Sequence, residues 1–176
     1  MPNGNLDCFI DKDNTFLDWA TWYKVLLGLA SALVYLLEEY GNPVVHRDVK
    51  PNNVMLDSQY NEHIVDFGLA RATPESDVYS FGMVVLEVGY GKRSKGIIDE
   101  NSLVDSVWTL YEKGVDALLD CVDRLLEGKF DEEEVKRSLV VGLTCLHLDF
   151  MLQPQMRKVV QVFMNHNEPP LNLPES

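Results

Sequence analysis

The residues whose types and spacing could perform chemistry lie in one stretch of the chain, residues 46–68. Phosphoryl transfer needs a carboxylate to orient the attacking hydroxyl and accept its proton, oxygen ligands for magnesium, and a cation to spread the developing charge. Asp48 is a candidate base, and Lys50, two residues further on, is a candidate cation at the transferred phosphate. Asn53 and Asp66 are candidate magnesium ligands. The stretch therefore contains each kind of group that this reaction requires.

Two short apolar runs are placed to position these groups. Residues 53–57 and 63–67 flank a polar turn from Ser58 to Glu62, a pattern that predicts a small β-hairpin. Such a hairpin would bring Asn53 and Asp66 towards each other at one end.

The order of these residues resembles two motifs of protein kinases. Residues 46–53, HRDVKPNN, look like the H-R-D-x-K-x-x-N catalytic loop, and residues 66–68 look like the D-F-G loop. The resemblance implies catalytic roles for Asp48 and Lys50. The lysine after the aspartate is similar to serine/threonine kinases rather than tyrosine kinases.

The same resemblance implies ATP and Mg²⁺ as cofactors, with Asn53 and Asp66 as the binding residues. Residues 77–87, DVYSFGMVVLE, look like the kinase helix that runs through the middle of the large lobe. In the family, the aspartate that opens this helix braces the backbone of the catalytic loop. Structural or regulatory roles are implied for five residues: His46, Arg47, Phe67, Gly68 and Asp77.

Two parts of a kinase have no match in these residues. Neither a G-x-G-x-x-G nor a V-A-I-K pattern occurs, and both belong to the small lobe, which covers and holds the phosphates. Only eight residues, Leu69 to Ser76, separate Gly68 from Asp77, where kinases ordinarily carry the activation loop, a substrate-binding strip and A-P-E. Eight residues can extend to roughly 30 Å, so the shorter link is sterically possible.

A second departure concerns the partner of the A-P-E glutamate, which in kinases is a buried arginine in an R-P dipeptide. The matching place here is Gln153-Pro154, so both the glutamate and the arginine are replaced or missing. Loss of both avoids an isolated buried charge. A chance substitution at an exposed turn explains Gln153 equally well.

The predicted fold class is mainly α within the α+β superfamily: a protein kinase-like large lobe, helical with a small β-hairpin. Residues 1–167 are predicted to form this incomplete domain, beginning at the hinge because MPNGNLD resembles the segment that follows it, and residues 168–176 a flexible tail. The sequence is similar to plant receptor-like kinases, and most similar to the legume-lectin-domain group. Apolar periodicity predicts four helices: Asp18 to about Tyr40, Leu103 to Tyr111, Asp131 to about Leu148, and Met156 to Asn165.

Local signals add detail to these elements. Asp18 is a predicted N-cap, and Asp131 with Glu134 fits a capping box. Residues 92–102 are predicted to form a charged loop, and residues 115–126 a further helical or irregular segment.

Composition limits the partners and the compartment. The formal net charge of −13 excludes a basic nucleic-acid-binding surface. Three widely spaced cysteines are expected to be free thiols in a reducing cytosol. No secretory signal is expected, and the uncharged apolar run of residues 25–37 is shorter than the ~20 residues of a membrane span. The chain is therefore predicted to be cytoplasmic, whereas a full-length relative would lie at the cytoplasmic side of the plasma membrane.

Three functions remain open on these observations. The first is a serine/threonine kinase domain that transfers the γ-phosphoryl of ATP to a protein substrate, although the isolated chain is expected to be inactive. The second is a non-catalytic module that docks a partner kinase or a substrate. The third is a truncated gene product, which a comparison of transcript and genomic locus would identify.

Overall fold

The computed structural model describes residues 1–10, 16–69, 71–94, 97–123, 126–169, 171 and 173. Five α-helices and one antiparallel hairpin form the framework of this part of the chain: α1 Trp19–Val34, β1 Val54–Leu56, β2 Glu62–Ile64, α2 Pro74–Tyr90, α3 Ile97–Lys113, α4 Glu132–Cys145 and α5 Met156–Met164. Shorter helical segments connect them: Leu6–Phe9, a π-helical turn Tyr35–Glu39, Pro51–Asn53, Val115–Cys121 and Phe150–Leu152. The predicted fold class, helical with a small hairpin, is confirmed.

Helix α1 begins at the predicted cap, because the Asp18 carboxylate accepts a hydrogen bond from the Thr21 backbone N–H at 2.8 Å. Its apolar face is fully buried at Val25, Leu26 and Leu29. The predicted end near Tyr40 is correct in position, but the last turn, Tyr35–Glu39, is π-helical rather than α-helical.

The described residues include one helical stretch, Trp19–Glu39, whose length and apolar composition alone would allow it to cross a membrane. It extends beyond the uncharged run of residues 25–37 at both ends. The apolar face of this stretch packs into the hydrophobic core, which accounts for its apolar composition.

The centre of the core is the crossing of α2 and α4. A Cβ atom added to Gly82 would lie 2.8 Å from the Gly142 carbonyl oxygen, and one added to Gly142 would lie 2.9 Å from Leu86 Cδ2. The backbone of α4 therefore lies too close for a side chain at Gly82, whereas a side chain at Gly142 would have to displace Leu86. Helix α2 begins at Pro74, three residues before the predicted Asp77, so the last three residues of the link from Leu69 to Ser76 are helical.

The predicted capping box at the start of α4 is correct for Asp131 and wrong for Glu134. Asp131 caps the helix by accepting from the Glu134 backbone N–H at 3.0 Å. The Glu134 carboxylate does not return to Asp131, because it accepts from Trp19 Nε1 at 3.1 Å and lies 3.3 Å from His166 Nε2. The helix ends at Cys145, three residues before the predicted Leu148.

Two further boundaries differ from the prediction. Helix α3 begins at Ile97 and includes residues 97–102 of the predicted charged loop, with Asp99 and Glu100 in its first turn, where carboxylates suit the helix dipole. The segment predicted as helical or irregular contains a 3₁₀ helix, Val115–Cys121.

At the C-terminal end, the Glu168 carbonyl accepts from Arg137 Nη1 at 2.7 Å, and Leu173 is buried. Residues 170, 172 and 174–176 lie outside the described residues. The boundary between a domain of residues 1–167 and a flexible tail stays a prediction.

The three cysteines are free thiols, and Cys121 and Cys145 are buried. Burial raises the pKa of both thiols, that of Cys121 to about 11, so neither is a reactive thiolate near neutral pH.

Candidate functional site: the catalytic-loop cluster

Asp77 connects helix α2 to the loop that carries the candidate base. Its carboxylate accepts hydrogen bonds from the backbone N–H groups of His46 at 2.5 Å and Arg47 at 2.8 Å. The side chain is 1% exposed, and burial raises the pKa of Asp77, while the backbone hydrogen bonds from Arg47 and His46 oppose that shift. Both carboxylate oxygens are used, so Asp77 fixes two successive peptide units immediately before Asp48.

Asp48, Lys50 and Asn53 form the centre of the candidate site. Lys50 Nζ and Asn53 Nδ2 each lie 2.8 Å from Asp48 Oδ2, and Asn53 Nδ2 also donates to the Asp48 carbonyl at 2.9 Å. Burial raises the pKa of Asp48, but the hydrogen bonds from Lys50 and Asn53 outweigh burial and leave that pKa below its ordinary value. Asp48 is therefore an ionised carboxylate at neutral pH, held in one orientation by a cation and an amide.

The hairpin brings the two candidate magnesium ligands together as predicted. Strands β1 and β2 pair Val54 with Ile64, and the ladder continues with a hydrogen bond from the Val65 N–H to the Asn53 carbonyl at 2.9 Å. Asn53 Nδ2 lies 3.5 Å from the Asp66 carbonyl oxygen. Asp66 itself is exposed and has a φ of 57°, in the left-handed region.

The donor set suits magnesium only with help from a nucleotide. Asn53 donates through Nδ2, which leaves its amide oxygen as a potential ligand beside the exposed Asp66 carboxylate. The described residues contain no group of three His, Cys, Asp or Glu side chains that could hold a metal ion. Magnesium commonly takes one or two protein oxygens together with substrate phosphates and water, so this pair fits a nucleotide-bound ion.

The remaining motif residues hold the two loops against each other. His46 is buried, its Nε2 lies 2.9 Å from the Val65 carbonyl oxygen, and its ring centroid lies 4.4 Å from that of Phe67. The Gly68 N–H donates to the His46 carbonyl at 2.8 Å, and a Cβ atom at Gly68 would lie 2.9 Å from the Arg47 carbonyl oxygen. Gly68 is therefore required for this close approach.

Arg47 also has a left-handed backbone, with a φ of 72°. Its exposed side chain makes one long contact, from Nη1 to the Gly68 carbonyl at 3.5 Å. Positive φ thus occurs at Arg47, next to the candidate base, and at Asp66, which is itself a candidate metal ligand. Backbone strain of this kind is concentrated at functional sites in proteins.

The cavity beside Gln153 could not be predicted from the sequence. Gln153, at the place of the usual arginine, lines a cavity and has a buried amide oxygen without a hydrogen-bond partner. The dipeptide Gln153-Pro154 indicated a changed residue, but only the packing of the π-helical turn Tyr35–Glu39 with α2 and α5 shows the cavity beside it.

Comparison with known proteins agrees with this geometry. Residues 1–76 match the family model described as protein kinase domain. That match ends one residue before Asp77, so it includes the complete catalytic-loop cluster except the residue that braces it. The fold, the candidate site and the family match together show that the chain is a partial protein kinase domain.

The relatives of this domain are plant receptor kinases of the L-type lectin-domain class. The chain is 38% identical over 206 residues to a probable L-type lectin-domain containing receptor kinase S.7 of Arabidopsis thaliana, covering 96% of the chain and 30% of the relative. It is 41% identical over 194 residues to the S.7 kinase of Oryza sativa subsp. japonica, covering 92% and 27%. It is 39% identical over 209 residues to the VIII.1 kinase of Arabidopsis thaliana, covering 97% and 29%. The chain thus spans less than a third of the length of these relatives.

The lengths of these alignments bear on the short link after Gly68. The first extends over 206 residues, whereas the chain has 176, so at least 30 positions of that relative have no counterpart here. These unmatched positions agree in number with the segment of a few tens of residues that kinases ordinarily carry in place of the link from Leu69 to Ser76.

Proposed function

We propose that this chain is the phosphoryl-transfer part of a serine/threonine protein kinase domain of the receptor-like type. The reaction would pass the γ-phosphoryl group of ATP to a serine or threonine hydroxyl of a protein substrate, on the cytoplasmic side of the plasma membrane. The observation that carries the proposal is the contact of Asp48 with both Lys50 and Asn53 at 2.8 Å, on a loop that Asp77 fixes.

Each residue has a definite part in this reaction. Asp48 orients the substrate hydroxyl and accepts its proton, and Lys50 stabilises the negative charge that develops on the transferred group. Asn53 and Asp66 hold magnesium, which neutralises the phosphate oxygens when it is bound. Asp77 acts through the backbone, because it sets the position of the loop without contacting the reacting atoms.

We further propose that the 176-residue chain does not turn over by itself. The internal link from Leu69 to Ser76 leaves no segment that could present a substrate hydroxyl to Asp48. Glycine-rich and lysine-bearing segments that hold the phosphates would also have to come from another part of the protein or from another molecule.

Nucleotide binding and transfer can be separated experimentally. The purified chain is heated with and without millimolar Mg²⁺ and ATP, and Asp66→Asn serves as the variant with a weakened metal site. We expect a nucleotide-dependent rise of the unfolding midpoint that is smaller in Asp66→Asn, because only a ligand that prefers the folded state raises the midpoint. Equal midpoints with and without nucleotide would contradict binding at this site.

Transfer is then measured as magnesium-dependent labelling of a generic protein substrate, with Asp48→Asn as the control. We expect the same background from the chain and from Asp48→Asn. Labelling that exceeds the Asp48→Asn background would contradict the proposed inactivity and would establish an active kinase.

The intact core favours a second function, a non-catalytic docking module. Large side chains such as Phe81, Leu86 and Leu143 are at most 2% exposed although the link before α2 is short. A chain that unfolds cooperatively without transferring phosphate could still dock a partner kinase. Absence of a cooperative transition would eliminate this function.

A further inference from the structure

A cavity of about 190 Å³ lies where the π-helical turn Tyr35–Glu39 meets the first turns of α2 and α5. Its apolar wall includes Leu37, Val78 and Met156, and its polar wall includes Glu38, Glu75 and Gln153. We call this site the Gln153 groove. Its volume is several times the roughly 30 Å³ that a water molecule occupies in the liquid, so it can admit a side chain.

Only one of the two polar groups of the Gln153 amide has a hydrogen-bond partner in the described part of the chain. Its Nε2 donates to the His147 carbonyl at 3.0 Å, whereas its Oε1 is buried and has no partner in the described part of the chain. The contact with His147 fixes the amide orientation, because a flipped amide would place two oxygens against each other. The group in need of a partner is therefore an acceptor, and buried acceptors of this kind are uncommon in folded proteins.

The charges around the groove favour a cation. Glu38 accepts from the Arg157 backbone N–H at 3.1 Å, in the first turn of α5, and its other carboxylate oxygen lies 3.4 Å from Arg157 Nε, so Glu38 already has a cation beside it. Glu75 lies in the first turn of α2, and the hydrogen bond to Thr73 lowers the pKa of its carboxyl, so it is ionised at neutral pH. The positive ends of both helices thus already have carboxylates, which removes the usual reason for an anion to bind there.

We propose that the Gln153 groove binds an arginine side chain from a basic segment of a partner protein. A guanidinium group has five N–H donors in a planar arrangement, enough for Gln153 Oε1 and a carboxylate together. Its methylene stem would pack on Leu37, Val78 and Met156. The net charge of −13 attracts a basic segment over a longer range. This proposal does not depend on phosphoryl transfer, since it uses none of the catalytic-loop residues.

The test uses N-acetyl-arginine N-methylamide as the probe, titrated into the full 176-residue chain and followed by two-dimensional ¹⁵N NMR. We expect saturable shifts of the Gln153 side-chain amide and of the backbone amides around Glu75 and Val78. The corresponding citrulline compound has the same shape without the charge, and we expect it to bind at least several-fold more weakly. The glutamate compound should not bind at this site.

Variants then assign the contacts. Gln153→Met removes the acceptor at similar size, and Glu75→Gln removes one charge; each should weaken arginine binding several-fold. Glu132→Gln removes the same charge from an exposed position at the start of α4 and should leave binding unchanged. Gln153→Arg removes the free acceptor and supplies a guanidinium within the chain, and it should abolish binding of the probe.

Four results would overturn the proposal: no saturable shift in the unmodified chain, shifts spread over the acidic surface, equal binding of the citrulline compound, or equal loss in Glu75→Gln and Glu132→Gln. Preferred binding of the glutamate compound would assign the groove to an anion instead. If Gln153→Met does not fold, the shift map of the unmodified chain and Gln153→Arg still decide the question.

Discussion

Asp77 shows what a single buried carboxylate contributes to the site. It satisfies two backbone N–H groups that have no other acceptor in the fixed loop, and a neutral amide has only one oxygen with which to replace it. The raised pKa of Asp77 reflects the unfavourable burial of its charge. This residue therefore costs stability through its charge and provides stability through its hydrogen bonds.

Replacement of Asp77 by alanine tests which contribution is larger. We expect Asp77→Ala to lower the free energy of unfolding by roughly 2–4 kcal/mol, because two buried N–H groups lose their acceptor. Urea denaturation measures the change, with Asp105→Ala, at an exposed position of α3, as the matched control. An equal effect of the two substitutions would show that the brace is unimportant for folding.

The turn of the hairpin depends on Asp57. Its carboxylate accepts from the backbone N–H groups of Gln59 at 2.8 Å and Asn61 at 2.9 Å and from Asn61 Nδ2 at 2.8 Å. The hydrogen bond from the Asn61 side chain, followed by that from its backbone, lowers the pKa of Asp57 to about 2. The folded state therefore favours the ionised carboxylate more than the unfolded state does.

This lowered pKa predicts the direction of a pH effect. The contribution of Asp57 to stability is complete above its ordinary pKa, near 4, and is lost as the pH falls through about 2. The midpoint difference between the natural chain and Asp57→Asn should thus shrink as the pH falls from about 4 towards about 2. Thermal scans across this range measure it, and a difference that grows on acidification would contradict the assignment.

At the scale of single residues, the sequence predicted positions better than contacts. Motif spacing placed Asp48, Lys50 and Asn53 in one site, because this spacing determines a local loop. The unpaired oxygen of Gln153 and the contact of Glu134 with Trp19 could not be predicted, since each depends on residues more than a hundred positions away or on several helices at once.

At the scale of elements, the crossing of α2 and α4 restricts which residues fit at two positions. Gly82 approaches the Gly142 carbonyl, and Gly142 approaches the Leu86 side chain. Neither glycine has a positive φ, so the close approach of the two helices explains them rather than a special backbone conformation. Helix α2 carries Asp77 at its start, and its position on α4 thus determines where the catalytic loop lies.

Gly82→Ala tests this crossing. The added Cβ atom meets backbone, which cannot move aside as a flexible side chain can. We expect a loss of roughly 1–2 kcal/mol, because overpacking costs about 1–3 kcal/mol and alanine returns up to about 1 kcal/mol of helix propensity. Gly41→Ala is the control, since a Cβ atom there meets nothing within 4 Å. Chemical denaturation would refute the close contact if both variants were equally stable.

The helices themselves could largely be predicted from periodicity, because a buried face repeats every three or four residues along α1 and α4. The starts of α1 and α4 were also predicted, from the cap residues Asp18 and Asp131, but several other helix ends were not. No residue pattern in the sequence marks the π-helical turn Tyr35–Glu39 or the early start of α3 at Ile97. The link from Leu69 to Ser76 is similar: its length was evident, but Pro74 as the first residue of α2 was not.

At the scale of the whole molecule, the fold combines a closed core with apolar side chains that have nothing to cover them in the described part of the chain. Leu69, at the start of the short link, is 98% exposed. A second group lies between α4 and α5, where Leu148 is 92% exposed, Phe150 59%, Met151 78% and Leu152 48%. Four large apolar side chains within five residues form a patch that monomeric proteins generally avoid.

This second patch predicts self-association. Substitution of both Leu148 and Met151 by glutamate should reduce association at high protein concentration, because it places two charges in the apolar contact surface of two copies. The unfolding midpoint of the monomer should change little, since both side chains are largely exposed already. Sedimentation velocity over a concentration series measures the association.

The control is Met164→Glu, at the end of α5, where the side chain is 71% exposed but stands outside the patch. It adds one negative charge, where the double variant adds two, to a chain that is already strongly acidic, so an effect of net charge alone also appears in the control. A fall in association only in the double variant assigns the contact to residues 148–152. An equal fall in both would mean that general repulsion, and not this patch, limits association.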